Sequence, residues 1–124
     1  MKKILLADDE ESIQVAYSRL LESPGVAVEV VGCVESAQNC LESQQYAAII
    51  VDLRLQGTAS MPGLSLVRSA RKTQLNCFSV VMTAYGDKQT EDKAIDAGAD
   101  LFLEKPVSPG ILKNLFADRN IYSS

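Results

Sequence analysis

Four short apolar runs in this sequence lead into residues able to do chemistry. Ile4 to Ala7 runs into Asp8-Asp9, Ala47 to Val51 into Asp52, and Phe78 to Met82 into Thr83, while Leu101 to Leu103 is followed after one glutamate by Lys105. Histidine is absent from the chain. Its absence removes Ser/His and Cys/His nucleophilic pairs and imidazole metal sites, and leaves carboxylates, hydroxyls and lysines for any chemistry. Three carboxylates brought together repel, and each has its pKa raised unless a cation sits among them. Oxygen-only donors suit a hard divalent ion, and magnesium is the usual partner of phosphates. A carboxylate can also attack a phosphoryl group to form an aspartyl phosphate, whose charge a metal, a lysine and a hydroxyl together neutralise. Asp52 is the best nucleophile of the three, because it ends the most apolar run and has no acidic neighbour.

These residues can meet only if the runs that carry them are neighbouring strands. Ile4 to Ala7, Ala47 to Val51, Phe78 to Met82 and Leu101 to Leu103 are strand-length, and Val26 to Val31 is a further run rich in β-branched residues. Between them lie stripes at helical spacing. Ile13, Tyr17, Leu20 and Leu21 form the first, which Ser23-Pro24-Gly25 stops, and Val34, Ala37, Cys40 and Leu41 form the second. Leu64, Val67 and Ala70 mark a third, and Lys88 to Ala97 is a weakly apolar fourth, with Ala94, Ile95 and Ala97 as core candidates and Gly98 as its stop. Ser108-Pro109 supplies an N-cap and a first-turn proline for a fifth, with Ile111, Leu112, Leu115 and Phe116 on one face. Strands apolar on both faces and separated by helices imply a parallel sheet covered on both sides, a doubly wound α/β sandwich. Ligands of such sheets bind beyond the carboxyl ends of the strands, which is where Asp8-Asp9, Asp52, Thr83 and Lys105 fall.

The 124-residue length fits one compact domain, with 47% hydrophobic and 23% charged residues. A net charge of −4 argues against a nucleic-acid binder, since the basic clusters at Lys2-Lys3 and Arg68 to Lys72 are brief. No apolar run approaches the ~20 residues that span a bilayer. The opening MKKILLADD turns acidic too soon for a secretion signal, so a cytoplasmic location is expected. Cys33, Cys40 and Cys77 are odd in number and lack CxxC spacing, and read as reduced thiols serving as small core residues.

The segments ILLADDEES, IIVDLRL, VVMTAYGD and LFLEKPVSP, in that order, resemble the receiver domain of two-component response regulators. The resemblance runs from about Lys3 to Ala117, with the domain at 1–118 and a short C-terminal tail at 119–124. It implies a (βα)5 flavodoxin-like sandwich with strand order 2-1-3-4-5. By this resemblance Asp9 holds Mg2+ directly and Asp8 through water, while Asp52 is the phosphoacceptor and a further ligand, with the Arg54 carbonyl completing the set. Thr83 is then the switch hydroxyl, Phe102 the switch aromatic that rotates inward with it, and Lys105 the partner of the phosphoryl group, with a cis peptide to Pro106. Glu10 and Glu11 are expected as charges at a helix start, and Arg54 and Tyr85 as flanks of the site. The sequence departs from the family in the loop Leu55 to Gly63, which is longer than usual, with its proline displaced to Pro62.

The implied function is a phosphorylation-dependent switch fed by a histidine kinase or phosphotransfer protein, since the chain has no histidine of its own. It would catalyse its own phosphoryl transfer and slow dephosphorylation while remaining primarily regulatory. The output would pass through the face of helix four, strand five and helix five to an output domain, a target protein or a second copy, with no direct contact to nucleic acid or membrane. TAYGD and FLEKP particularly resemble receivers fused to transcriptional activators, and a stand-alone regulator or a fragment of a larger one both fit. Two other classes are weighed. A haloacid-dehalogenase-like phosphatase would carry its nucleophile after the first strand in a DxD pattern, whereas here the aspartates are adjacent. A flavodoxin-like cofactor binder would need a Ser/Thr/Gly phosphate loop where DDEES stands. A receiver acting as a non-phosphorylated interaction module would lack one or more of the chemical positions, and all are filled here.

Overall fold

The structure is a computed structural model, and it describes residues 1–55, 62–84 and 86–122. Strands and helices alternate as β1 (Lys2–Ala7), α1 (Glu11–Leu21), β2 (Val26–Val31), α2 (Val34–Ser43) and β3 (Ala48–Asp52). The order continues with α3 (Gly63–Thr73), β4 (Phe78–Thr83), α4 (Lys88–Ala97), β5 (Leu101–Glu104) and α5 (Pro109–Asp118). All strand pairs are parallel, as the sequence pattern implies, and the sheet order is β2-β1-β3-β4-β5, as the family resemblance implies.

Period-two alternation along each central strand divides the interior into two layers. Leu5, Ala7, Ile49, Val51 and Val81 face α2, α3 and α4, packing with Ala37, Leu41, Leu66, Val67 and Ala94. Ile4, Leu6, Ile50, Val80 and Met82 face the other way, onto Tyr17 and Leu21 of α1 and Leu112 and Phe116 of α5. Phe78 meets Phe116 edge to face, with ring centroids 5.8 Å apart. Past α5, Ile121 is buried and the Tyr122 hydroxyl donates to the Leu21 carbonyl at 2.6 Å.

Several side chains lie differently from the sequence reading. Leu20, Ile95 and Ile111 fit the helical stripes but remain about half exposed, at 40%, 45% and 54%. Each sits at the margin of its stripe, where a helix turns from the sheet toward water. The edge strand β2 is only partly covered, so apolar sequence there does not mean burial on both faces. The three cysteines are half-buried rather than fully in the core. Ser108 stands at the N-cap of α5 without a side-chain capping bond, and Pro109 enters the first turn.

Strand register delivers the polar residues to one edge. Ala7 pairs with Val51, so Asp8 and Asp52 both follow one step beyond that pair on adjacent strands, which lie ~4.8 Å apart. Asp52 in turn pairs with Met82, just before Thr83, and Thr83 pairs with Glu104, just before Lys105.

Candidate functional site

Asp8 and Asp52 are held by the same local device. One carboxylate oxygen of each accepts the backbone N–H two residues on: Asp8 Oδ1 from Glu10 at 2.9 Å and Asp52 Oδ1 from Arg54 at 3.0 Å. Such Asx turns fix a short acidic side chain against its own backbone. The second oxygen of each is thereby aimed at the same point, where Lys105 Nζ sits 2.9 Å from Asp8 Oδ2 and 3.2 Å from Asp52 Oδ2. Asp8 is fully buried and Asp52 is 5% exposed.

Lys105 reaches this point because β5 ends beside β4. Its N–H donates to the Thr83 carbonyl at 2.7 Å, and its peptide bond to Pro106 is cis, as the resemblance implies. Thr83 itself is buried at the same edge. The contact between Lys105 Nζ and Asp8 Oδ2 lies outside hydrogen-bond alignment, so Asp8 Oδ2 is a buried oxygen offset by charge but without a hydrogen bond. Burial pushes the Asp8 carboxyl above its ordinary range and the Asp52 charge adds to this, while the Glu10 N–H and Lys105 pull the other way. Burial also works against the Lys105 ammonium, but Glu10, Asp8 and Asp52 outweigh it and its pKa is raised.

One residue of the site was expected to be only a helix-start charge. Glu10 Oε1 lies 2.7 Å from Lys105 Nζ, the shortest of the three contacts to that ammonium. Single oxygens of Asp8, Glu10 and Asp52 all lie within 4.8 Å of one another. Sequence pattern carried no signal for it: the Asx turn that Asp8 makes turns the side chain two residues on back toward the strand edge. Asp9 is exposed and is not among these three carboxylates. Arg54 is exposed, and its part in the described contacts of Asp52 is its backbone N–H. Phe102 is half-buried against the α2–α3–α4 layer, with Gly86 close to its ring. Tyr85 and most of the long loop, residues 56–61, lie outside the described residues.

The donor set fits a hard divalent cation. Its ligand atoms are all carboxylate oxygens, one of them is buried without a hydrogen bond, and one ammonium faces three acids.

The sequence matches the family model described as the response regulator receiver domain over residues 4–117. It is 32% identical over 120 residues to the sensory/regulatory protein RpfC of Xanthomonas campestris pv. campestris, covering 94% of this chain and 16% of that protein. A response regulator of Burkholderia pseudomallei, solved with a phosphorylated aspartic acid, a calcium ion and citrate, superposes with a TM-score of 0.81 at 26% identity, covering 100% of this chain and 76% of that one. The receiver domain of the sensor histidine kinase PA1611 from Pseudomonas aeruginosa PAO1, solved with magnesium in its active-site cleft, gives a TM-score of 0.78 at 28% identity, covering 94% and 95%. The chain spans 16% to 60% of the length of the first curated relatives it matches. It therefore belongs to the response regulator receiver domain family, the phosphorylation modules of two-component signalling.

Proposed function

We propose that this domain accepts a phosphoryl group on Asp52 from a histidine kinase or phosphotransfer protein, and that Thr83 and Phe102 relay the change to the α4-β5-α5 face. The observation that carries the reading is the partly buried Lys105 ammonium between Asp8 Oδ2 and Asp52 Oδ2 at the carboxyl edge of the sheet. Asp52 Oδ1 accepts the Arg54 N–H, while Oδ2 is the oxygen turned toward the Lys105 ammonium that would offset phosphoryl charge. In the transfer, Oδ2 bonds to phosphorus as the donor's phosphorus–nitrogen bond breaks. The electron pair leaves with the donor imidazole, which takes up a proton. Lys105, already 3.2 Å from Oδ2, neutralises charge on the incoming phosphoryl oxygens, and the Thr83 hydroxyl donates to one of them. Hydrolysis then adds water to phosphorus and breaks its bond to Asp52, releasing inorganic phosphate and the free carboxylate.

Asp8, Asp9 and Asp52, with the Arg54 carbonyl, would hold Mg2+, and Glu10 lies within reach of the same point. When bound, the cation offsets negative charge on the transferring group. The relatives support this reading, since one was solved with a phosphorylated aspartate and another with magnesium in its cleft. The output is an attached domain, a target protein or a second copy meeting α4-β5-α5, and the setting is the cytoplasm. Among the described residues no helix is long and apolar enough to cross a membrane.

The test is incubation with a small phosphodonor and Mg2+, read by intact mass. Wild type gains one phosphoryl group and Asp52→Asn gains none. Equal uptake by the two would contradict the proposal.

A further inference from the structure

We infer that Glu10 is a positioning residue that holds Lys105 in the resting domain and competes for it with an arriving phosphoryl group. The inference rests on Asp52 being the phosphoacceptor. An ammonium has three donor hydrogens; Lys105 Nζ gives two to Glu10 Oε1 at 2.7 Å and Asp52 Oδ2 at 3.2 Å, and lies 2.9 Å from Asp8 Oδ2 outside hydrogen-bond alignment. A phosphoryl oxygen therefore competes with these three carboxylates for the ammonium, and the one that yields most easily decides the cost. Asp8 is fully buried and tied at Oδ1 to the Glu10 N–H, and Asp52 is the residue that receives the group. Glu10 differs from both. Its side chain is 53% exposed, so it can turn into water, where an exposed ion pair is worth little.

The helix makes no competing demand on that carboxylate. Glu10 stands at the N-cap of α1, where a side-chain oxygen commonly accepts an N–H of the first turn. Here it makes no such bond and turns to Lys105 instead. Its backbone is anchored on both sides, by the N–H to Asp8 Oδ1 at 2.9 Å and by the carbonyl accepting the Gln14 N–H at 3.0 Å. Only the side chain has to move. Glu10 is thus a displaceable counter-ion on a fixed hinge, and it sets how readily the site takes a phosphoryl group.

The test uses beryllofluoride as the phosphoryl analogue, at Mg2+ concentrations that saturate each variant, with binding measured by calorimetry. Glu10→Gln removes the charge, whereas Glu10→Asp keeps the charge but is one methylene too short to reach Lys105. Both are expected to bind the analogue about three- to five-fold more tightly than wild type, the scale of an exposed ion pair. In metal-free protein, both should also shift the NMR signals of the Lys105 side chain. An Asp variant that binds like wild type would overturn the inference, because repulsion between charges would then explain the Gln variant. So would unmoved Lys105 signals, or Gln and Asp variants that bind no more tightly. A wild type that takes up no beryllofluoride would instead overturn the phosphoacceptor reading itself, and with it the displacement.

Discussion

Asp8 and Asp52 share a geometry, yet they carry opposite burdens. Each gives one oxygen to a backbone N–H and the other to Lys105, but Asp8 lies fully buried and its carboxyl is pushed above the ordinary range chiefly by that burial. Folding therefore favours its neutral form. Its unfavourable contribution is absent below the unfolded value near 3.8 and grows as pH rises through the raised folded value. Asp8→Asn is accordingly expected to raise the Tm of the metal-free domain at pH 7. Thermal unfolding across pH checks this, and the gain should fade as pH approaches 4. A variant less stable than wild type at neutral pH would mean that the ion pair with Lys105 outweighs the cost of burying the charge.

The elements position these residues through close approach as much as through pattern. A Cβ on Gly63, the first residue of α3, would lie 2.6 Å from the Asp52 carbonyl oxygen and 2.7 Å from Leu53 Cα. Only glycine lets this helix start so near the end of β3. Gly63→Ala is expected to cost ~1–3 kcal/mol in denaturant unfolding and to slow phosphoryl uptake, because the chain beside Asp52 has to shift. Unchanged stability would show that the loop yields freely. The strands were legible in the sequence because apolar runs ending in acid, hydroxyl or lysine mark both the burial and the active edge. Gly98 was legible as the end of α4, where its φ of +121° suits glycine. What pattern could not supply was the third dimension. Ile95 and Ile111 sit at helical spacing yet face water, and the role of Glu10 depends on a turn made by a different residue. The capping of α4 by Asp87, which accepts the Thr90 N–H at 2.7 Å, is likewise local geometry without a periodic signature. The expectations for the loop after Leu55 and for Tyr85 fall on residues 56–61 and 85, outside the described residues.

At the scale of the whole molecule, a sheet covered on both faces converts strand register into an active edge. The two apolar layers fix β1, β3, β4 and β5 side by side, and that order alone brings Asp8, Asp52, Thr83 and Lys105 together from positions far apart in the chain. The same edge concentrates negative charge, and Lys105 lies against three of its carboxylates. A cation that binds only the folded state should therefore stabilise it. Mg2+ at ten times its dissociation constant is expected to add ~1.4 kcal/mol, raising Tm by a few degrees, and Asp52→Asn should remove most of that rise. An equal rise in the variant would place the cation elsewhere. The proposed chemistry has phosphorus bond to Asp52 rather than to the acids after β1. It is tested most directly by phosphorylating the domain, trapping the acyl phosphate by reduction and mapping the modified residue by peptide mass spectrometry. Modification is expected at Asp52 alone; modification at Asp8 or Asp9 would overturn the assignment.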